Sequence, residues 1–420
     1  DPATAIANYK DIMGWPGRGN PYFAGIWGFD LPFTQNGYAS FHDEMNDGLY
    51  DPLQGDYPVV EATFTEFVPA EIVWCVFNDQ GGGAAHGISG GVPTQIEVQL
   101  TVWAFNCSDQ PVLKNTIFTE HRIINRGAES LDSCFIGLWV DFDIGCNLDD
   151  YIGSAPDLDA FYAYNNGVVD GSGNCPNSFS GPPPVQSVTF LSQSLDKFVY
   201  YNEPGFGTPL AATRAPDLPL EYYRYLTGRW RDGSPFTFGG SGYQSGAIET
   251  NHAFPDPPNL NGWSMCNENL PFSVQRTLGT TKVEDLGVGH MRRLVTAWTV
   301  HPNADLPCNL GDTFDDIAFL HNTFDDDFAG VCSGLTATHE LADAQINIFP
   351  NPANESITLN YGDLPVREIR LIAPDGEIIQ TYQNIQPEQT VLNVKGLNSG
   401  IYYLQIQSEQ GSATKLVVIL

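Results

Sequence analysis

The chain has 420 residues, 50 acidic against 18 basic side chains, and a formal net charge of -32. That charge excludes nucleic acid and anionic membrane surfaces as partners, because both would repel it. With 42 Gly, 30 Pro, 12% aromatic residues and only 4 Met, the composition suits strands and turns rather than long helices. The length suits about two or three domains. No apolar run approaches the roughly 18 residues of a membrane-spanning helix, so no transmembrane segment is expected. The first residue is Asp1 rather than Met, as expected of a secreted chain whose signal peptide has been removed.

Residues 1–58 are turn-rich and aromatic, with poor periodicity. They read as an extended arm that packs Trp15, Phe23, Trp27 and Phe29 on the body or on a neighbouring copy. From Val59 the pattern becomes strand-like. Residues 59–64, 72–77 and 94–103 are candidate strands, and Ile96, Val98, Leu100 and Val102 alternate with polar neighbours as a half-buried strand requires. Residues 116–125, 134–142, 185–191 and 292–300 continue the series. Residues 160–184 read as a loop ending in Gly-Pro-Pro-Pro, which cannot sit within a sheet. The best helix candidate is 218–226, while 301–340 is polar, acidic and without an amphipathic pattern. The body therefore spans 59–335, with a subdomain division near 200, and a linker covers 336–345.

Residues 346–420 differ in character. Seven short strands are expected, punctuated by Asn, Asp, Gly and Pro turns, in a small immunoglobulin-like sandwich without cysteine. The fold class is all-β: a large antiparallel β-sandwich body with long loops and an aromatic N-terminal arm, followed by this smaller sandwich.

The cysteines are Cys75, Cys107, Cys134, Cys146, Cys175, Cys266, Cys308 and Cys332. None is spaced C-x-x-C, which removes a thioredoxin-like site and a zinc knuckle. Disulfides in an oxidising compartment are the preferred reading, against buried free thiols. Spacing does not fix connectivity; Cys75 with Cys107 and Cys308 with Cys332 are trial pairings.

Terminal motifs carry a resemblance. Ile346 to Ala353 (Ile-Asn-Ile-Phe-Pro-Asn-Pro-Ala), Ala373 to Gly376, Leu397 to Tyr402 and Thr414 to Val418 occur in the order of a type A C-terminal sorting domain. The segment resembles that domain of Bacteroidetes type IX secretion cargo. The resemblance implies a sorting motif at Pro350, Asn351, Pro352, Asp375, Gly376, Gly400, Tyr402 and Lys415. It also implies type IX secretion machinery as a partner, a secreted or outer-surface location, and removal of the module near 335–345. Further upstream, residues 74–79, 96–99, 122–126, 137–145, 149–153, 198–202 and 230–240 resemble a region that precedes such domains in other secreted proteins. That likeness implies location but no chemistry.

Asp141, Asp143, Asn147, Asp149 and Asp150 form the most suggestive chemical stretch. Hard oxygens around a Gly turn suit Ca2+, which takes about six to eight oxygen ligands, in a loop site without EF-hand spacing. The alternative is a set of Asx-turns closing a strand. Asp312, Asp315, Asp316 and 325–327, like His42-Asp43-Glu44, read as solvated charge. Gly87-Ile88-Ser89-Gly90-Gly91 matches a nucleophile-elbow string, but a strand rather than a helix follows it. His121 reads as a structural histidine. Trp230 to Gly240 reads as a packed turn, with Arg231 bonded to carboxylates and an aromatic sugar platform as the alternative. Two functional classes follow. One is a non-enzymatic structural surface protein, associating with itself into a filament or layer; the other is a protein that binds or acts on a surface glycan.

Overall fold

The structure, a computed structural model, describes residues 10–31, 38–63, 65–80, 89–107, 110–167, 169–171, 175, 177–203, 209–258, 260–270, 275–302, 308–329, 331, 346–362, 364–373, 378–382, 385, 388–397, 399–408 and 411–419. The chain falls into two compact units. Residues 38–40 and 59–329 make one, and residues 1–37, 41–58 and 330–420 the other.

Within the second of these, the arm forms a two-residue ribbon, β1 (Phe41–His42) with β2 (Tyr57–Pro58). Trp15 and Phe23 are buried, whereas Trp27 and Phe29 stay about half exposed. Polar groups fasten the turns: Asn20 Nδ2 donates to the carbonyls of Met13 and Trp15, and the buried Tyr50 donates its hydroxyl to Ile12 O at 2.8 Å.

The body opens with a second ribbon, β3 (Val60–Glu61) and β4 (Glu66–Phe67), shorter than the strand expected over 59–64. Its strands then run β5 (Glu71–Asn78), β6 (Ile96–Ala104), β7 (Thr116–Asn125), β8 (Leu131–Val140), β9 (Asp150–Ala155), β10 (Ala160–Asn165), β11 (Val185–Phe190), β12 (Lys197–Asn202), β13 (Gln275–Leu286) and β14 (Met291–His301). Seven of them make an antiparallel sheet in the order β5-β6-β7-β14-β11-β10-β9, and a three-stranded sheet follows the order β12-β13-β8. Phe161 of β10 stacks on Phe198 of β12 at 5.0 Å, so the sheets share one core. That approach leaves no room for a side chain at Gly279 of β13, where a Cβ would collide with the Phe161 ring. The opposite face of the large sheet carries an aromatic cluster in which Trp103 and Phe118 stack at 5.5 Å and Phe67, Phe105 and Phe328 close around them.

Residues 160–165 are a strand, contrary to the expected loop. All six residues of β9 and of β10 are buried, so neither strand shows the alternation by which a half-buried strand is recognised. β13 is disguised differently, because its buried Thr277, Thr280 and Thr281 read as polar. A helix over Pro219–Leu226 agrees with expectation, and Glu221 accepts the N–H groups of Asp217 and Leu218 at its start. The helix Thr313–Asp325 was not expected. Its buried stripe is Thr313, Ile317, Leu320 and Thr323, and the two threonines hide the helical period.

The terminal module has the seven strands read from the sequence: β15 (Asn347–Phe349), β16 (Ser356–Gly362), β17 (Val366–Ile372), β18 (Ile378–Tyr382), β19 (Glu388–Asn393), β20 (Gly400–Ser408) and β21 (Gly411–Ile419). They form sheets β15-β16-β19 and β18-β17-β20-β21. Ile357, Leu359, Ile369, Leu371, Leu404 and Val417 are fully buried, and packing alone holds this core. Among the described residues no helix is long and apolar enough to cross a membrane.

Candidate functional site

The acidic loop after β8 is fixed at several points. Cys146 is disulfide-bonded to Cys175, across 29 residues, which ties this loop to the one after β10. Gly145 turns with φ 64°, and a Cβ there would overlap Asp170 Oδ2. Asp170, buried, accepts the N–H of Cys146 at 2.9 Å and that of Phe179, with Asn165 Nδ2 at 3.4 Å. Asp149 accepts the N–H of Gly171 at 2.9 Å, and Asp150 that of Ile144 at 2.9 Å.

The structure does not bring the five residues Asp141, Asp143, Asn147, Asp149 and Asp150 to one point. Asp141 turns away to pair with Arg276 of β13, Asp143 is exposed, and Asn147 is half-buried in the turn. Asp149 comes together with Asp170, and Asp150 lies close enough to feel both charges. Cys146 Sγ lies within 4.8 Å of the Asp149 and Asp170 oxygens, but its bond to Cys175 leaves it no thiolate. Oδ1 of Asp149 and Oδ1 of Asp150 are buried and accept no hydrogen bond. Burial, with Asp149, Asp170 and Asp143 adding repulsion against the single Ile144 N–H, pushes the Asp150 carboxyl up to about 8. Burial also raises Asp149. Two carboxyl groups with an unpartnered oxygen, beside Asp170 whose oxygens both accept backbone N–H groups, are a set of hard oxygens. Asp170 was missed because it reaches the turn through the β9–β10 hairpin, which sets Asn165 opposite Asp150, and through the Cys146–Cys175 bond, neither of which spacing reveals.

The remaining cysteines correct both trial pairings. Cys308 pairs with Cys266, Cys107 is disulfide-bonded, and Cys75 and Cys134 are free thiols. Strand register explains why Cys75 does not reach Cys107. Cys75 lies opposite Leu100, and the four residues from there to Ala104 carry β6 about 13 Å further along, beyond disulfide reach. Cys332 lies outside the described residues.

A second polar chain emerges that sequence reading missed. Ser187 Oγ lies 2.8 Å from His301 Nε2, and His301 Nδ1 lies 2.7 Å from Asp316 Oδ2. This is the connectivity of a nucleophile, a base and its orienting acid. Accessibility decides against that use, since Ser187 is 2% and His301 1% exposed. Ser187 also sits within β11, between β10 and β14, where sheet pairing takes the backbone donors an oxyanion would need. Burial pushes His301 below the usual histidine range against the pull of Asp316, and the chain fastens helix 313–325 to the sheet.

Other flagged stretches are also fasteners. Asp43 accepts the N–H groups of Asp47 and Gly48, and His42 stacks on Tyr57 at 4.6 Å. Asp315 and Asp316 occupy the first turn of helix 313–325, and Asp327 accepts the N–H of Thr63. Ser89 stands in a turn that leads to β6, and residues 81–88 lie outside the described residues. Trp230 is fully buried, stacked on Phe236 at 4.0 Å and donating to Gly242 O, so it offers no platform to a sugar. Arg231 pairs with Asp217 and Glu221.

In the terminal module the motif residues close the sandwich. Asn351 Oδ1 accepts the N–H of Val418 at 2.8 Å, between Pro350 and Pro352, and Ala353 N–H donates to Val418 O. Gly400 pairs with Ile419, Tyr402 with Val417, and Lys415 with Leu404. Asp375 and Gly376 lie outside the described residues. The start of the module is thus clasped to its last strand.

Residues 347–420 match the family described as secretion system C-terminal sorting domain. No curated protein matches the chain. Among solved structures, a polysaccharide lyase is 8% identical over 86% of this chain and 38% of its own, with a TM-score of 0.24. The BSP domain of a biofilm-associated protein is 8% identical over 78% of this chain and 60% of its own, with a TM-score of 0.16. The chain spans less than two thirds of either, and superpositions this loose carry no argument. Residues 347–420 are a secretion system C-terminal sorting domain, which makes the chain a type IX secretion cargo that is secreted or held at the cell surface.

Proposed function

We propose that the protein is a structural component of the cell exterior whose copies associate into a larger assembly. The observation that carries this reading is how the body uses its polar groups. Asp149, Asp150 and Asp170 hold loop backbone, and Ser187, His301 and Asp316 are sealed between sheet and helix. Rigidity is served, and no reacting group faces solvent in either cluster. A glycan array with a broad hydrolase and lyase screen, run beside sizing of the intact chain, tests this. The expected result is association without sugar binding or turnover; saturable glycan binding or product formation overturns it.

The same reading assigns Ca2+ to the loop of Asp149, Asp150 and Asp170. The support is the pair of buried Oδ1 atoms that no protein donor satisfies. Calorimetric titration with CaCl2, before and after Asp149→Asn with Asp170→Asn, is direct. Binding heat and a higher melting temperature are expected for the parent only. Absence of both in the parent rejects the ion.

A further inference from the structure

One of the two end strands of the large sheet has a side that no described strand pairs with. Among the described residues, β5 is the end strand in the order β5-β6-β7-β14-β11-β10-β9 and pairs with β6 alone. Between Ile72 and Asn78 it carries no charge, proline or glycine, the devices that usually protect an edge. Val73 is 62% and Phe77 49% exposed, on the same face as the exposed free thiol of Cys75. Trp74 lies on the opposite face, edge-on to the ring of Tyr38.

The register defines which backbone groups point outward. Asp79 N–H donates to Ile96 O at 3.2 Å, and this pair continues the register of Cys75 opposite Leu100. Hydrogen-bonded pairs alternate along an antiparallel ladder, so the odd residues Val73, Cys75 and Phe77 bond to β6. The even residues Ile72, Trp74, Val76 and Asn78 therefore direct their N–H and C=O groups away from the sheet.

We infer that β5 is a self-pairing edge: two copies of the chain join antiparallel through it, centred on Cys75. This inference rests on the proposed association and names the surface that performs it. In the centred register, Trp74 exchanges backbone hydrogen bonds with Val76 of the second copy, and Val73 meets Phe77 on the apolar face. Cys75 faces its own counterpart in a non-hydrogen-bonded pair. Such pairs have Cα atoms about 4.5 Å apart, within the span of a disulfide. A small-molecule disulfide oxidant can then close the join. One Cys75 thiolate attacks the oxidant and releases one thiol, and the second Cys75 displaces the other. The net change is one new S–S bond, with two electrons and two protons passed to the oxidant. The strand suits a second copy because every side chain from Ile72 to Asn78 is uncharged, with Glu71 opposite Asp79 of the second copy only at the two ends of the join. The net charge of -32 opposes association, so added salt strengthens it.

The test uses the full chain. Sedimentation velocity across a concentration series compares wild type, Cys75→Ser and Val73→Lys with Phe77→Lys, each checked for folding by near-ultraviolet circular dichroism. The expected result is reversible association of wild type and Cys75→Ser, stronger in salt, and at least tenfold weaker association of the double lysine variant. With oxidised glutathione, a non-reducing gel should show a covalent dimer in wild type and in Cys134→Ser, but not in Cys75→Ser. If wild type associates and the double lysine variant associates equally, the β5 inference fails while the association reading stands. If wild type stays monomeric, both fail. A covalent dimer that depends on Cys134 instead of Cys75 also overturns the register.

Discussion

Removing the Cys146–Cys175 bond tests whether the acidic loop is held from outside itself. The bond spans 29 residues, and the chain-entropy relation for that loop gives about 3.6 kcal/mol of stabilisation at 25 °C. The Cys266–Cys308 bond spans 42 residues and gives about 3.9 kcal/mol by the same relation. Cys146→Ser with Cys175→Ser should lower the melting transition of the body by about 10 °C, taking a few degrees per kcal/mol for a domain of this size. Cys75→Ser, which breaks no disulfide, should leave that transition unchanged. Scanning calorimetry reads the two units together, so near-ultraviolet circular dichroism of the buried aromatics should report the body. The terminal module, which has no cysteine, should melt as before. A body transition within 2 °C of wild type, as measured by that signal, would refute the reasoning.

Three further outcomes follow from the packing. Burial holds His252 and His301 below the ordinary 6.5, so the folded state binds fewer protons than the unfolded state as pH falls through that value. Their contribution is complete above it and drains on acidification, by up to about 1.4 kcal/mol per pH unit for each histidine; urea midpoints from pH 7.5 to pH 5 should fall, and less steeply in His301→Gln. Glu120 is 1% exposed and pairs with Arg122 and Arg293, so Glu120→Ala takes the buried carboxylate from two guanidinium groups and leaves them their contacts to Glu61. Urea unfolding should show a loss of about 3 kcal/mol, and Glu120→Gln should lose less. Trp230→Ala opens a cavity beside Phe236 and Tyr200 and should cost about 3–5 kcal/mol, with a glycan array unchanged from wild type.

The terminal module was legible because each strand has one buried face and ends in a turn residue. β16, with Ile357, Leu359 and Tyr361 buried between exposed or half-buried neighbours, shows the pattern. β6 was legible as a strand from the alternation of Ile96, Val98, Leu100 and Val102, although the residues it buries are Gln99 and Trp103 on the other face. β9 and β10 were not, because burial on both faces erases alternation. The Ser187–His301–Asp316 chain joins residues 114 and 15 positions apart, and only sheet register and helix docking bring them together. The acidic loop was partly legible. Its composition marked the turn, but the β9–β10 hairpin places Asp170 beside Asp149, and Asp141 pairs with Arg276 from a strand hidden by its threonines.

The central claim is that the exported body builds an assembly. Negative-stain imaging of native secreted material, at high protein and Ca2+ concentration, tests it most directly. The account predicts multimers or extended arrays of a repeating unit. Isolated monomers throughout would contradict it.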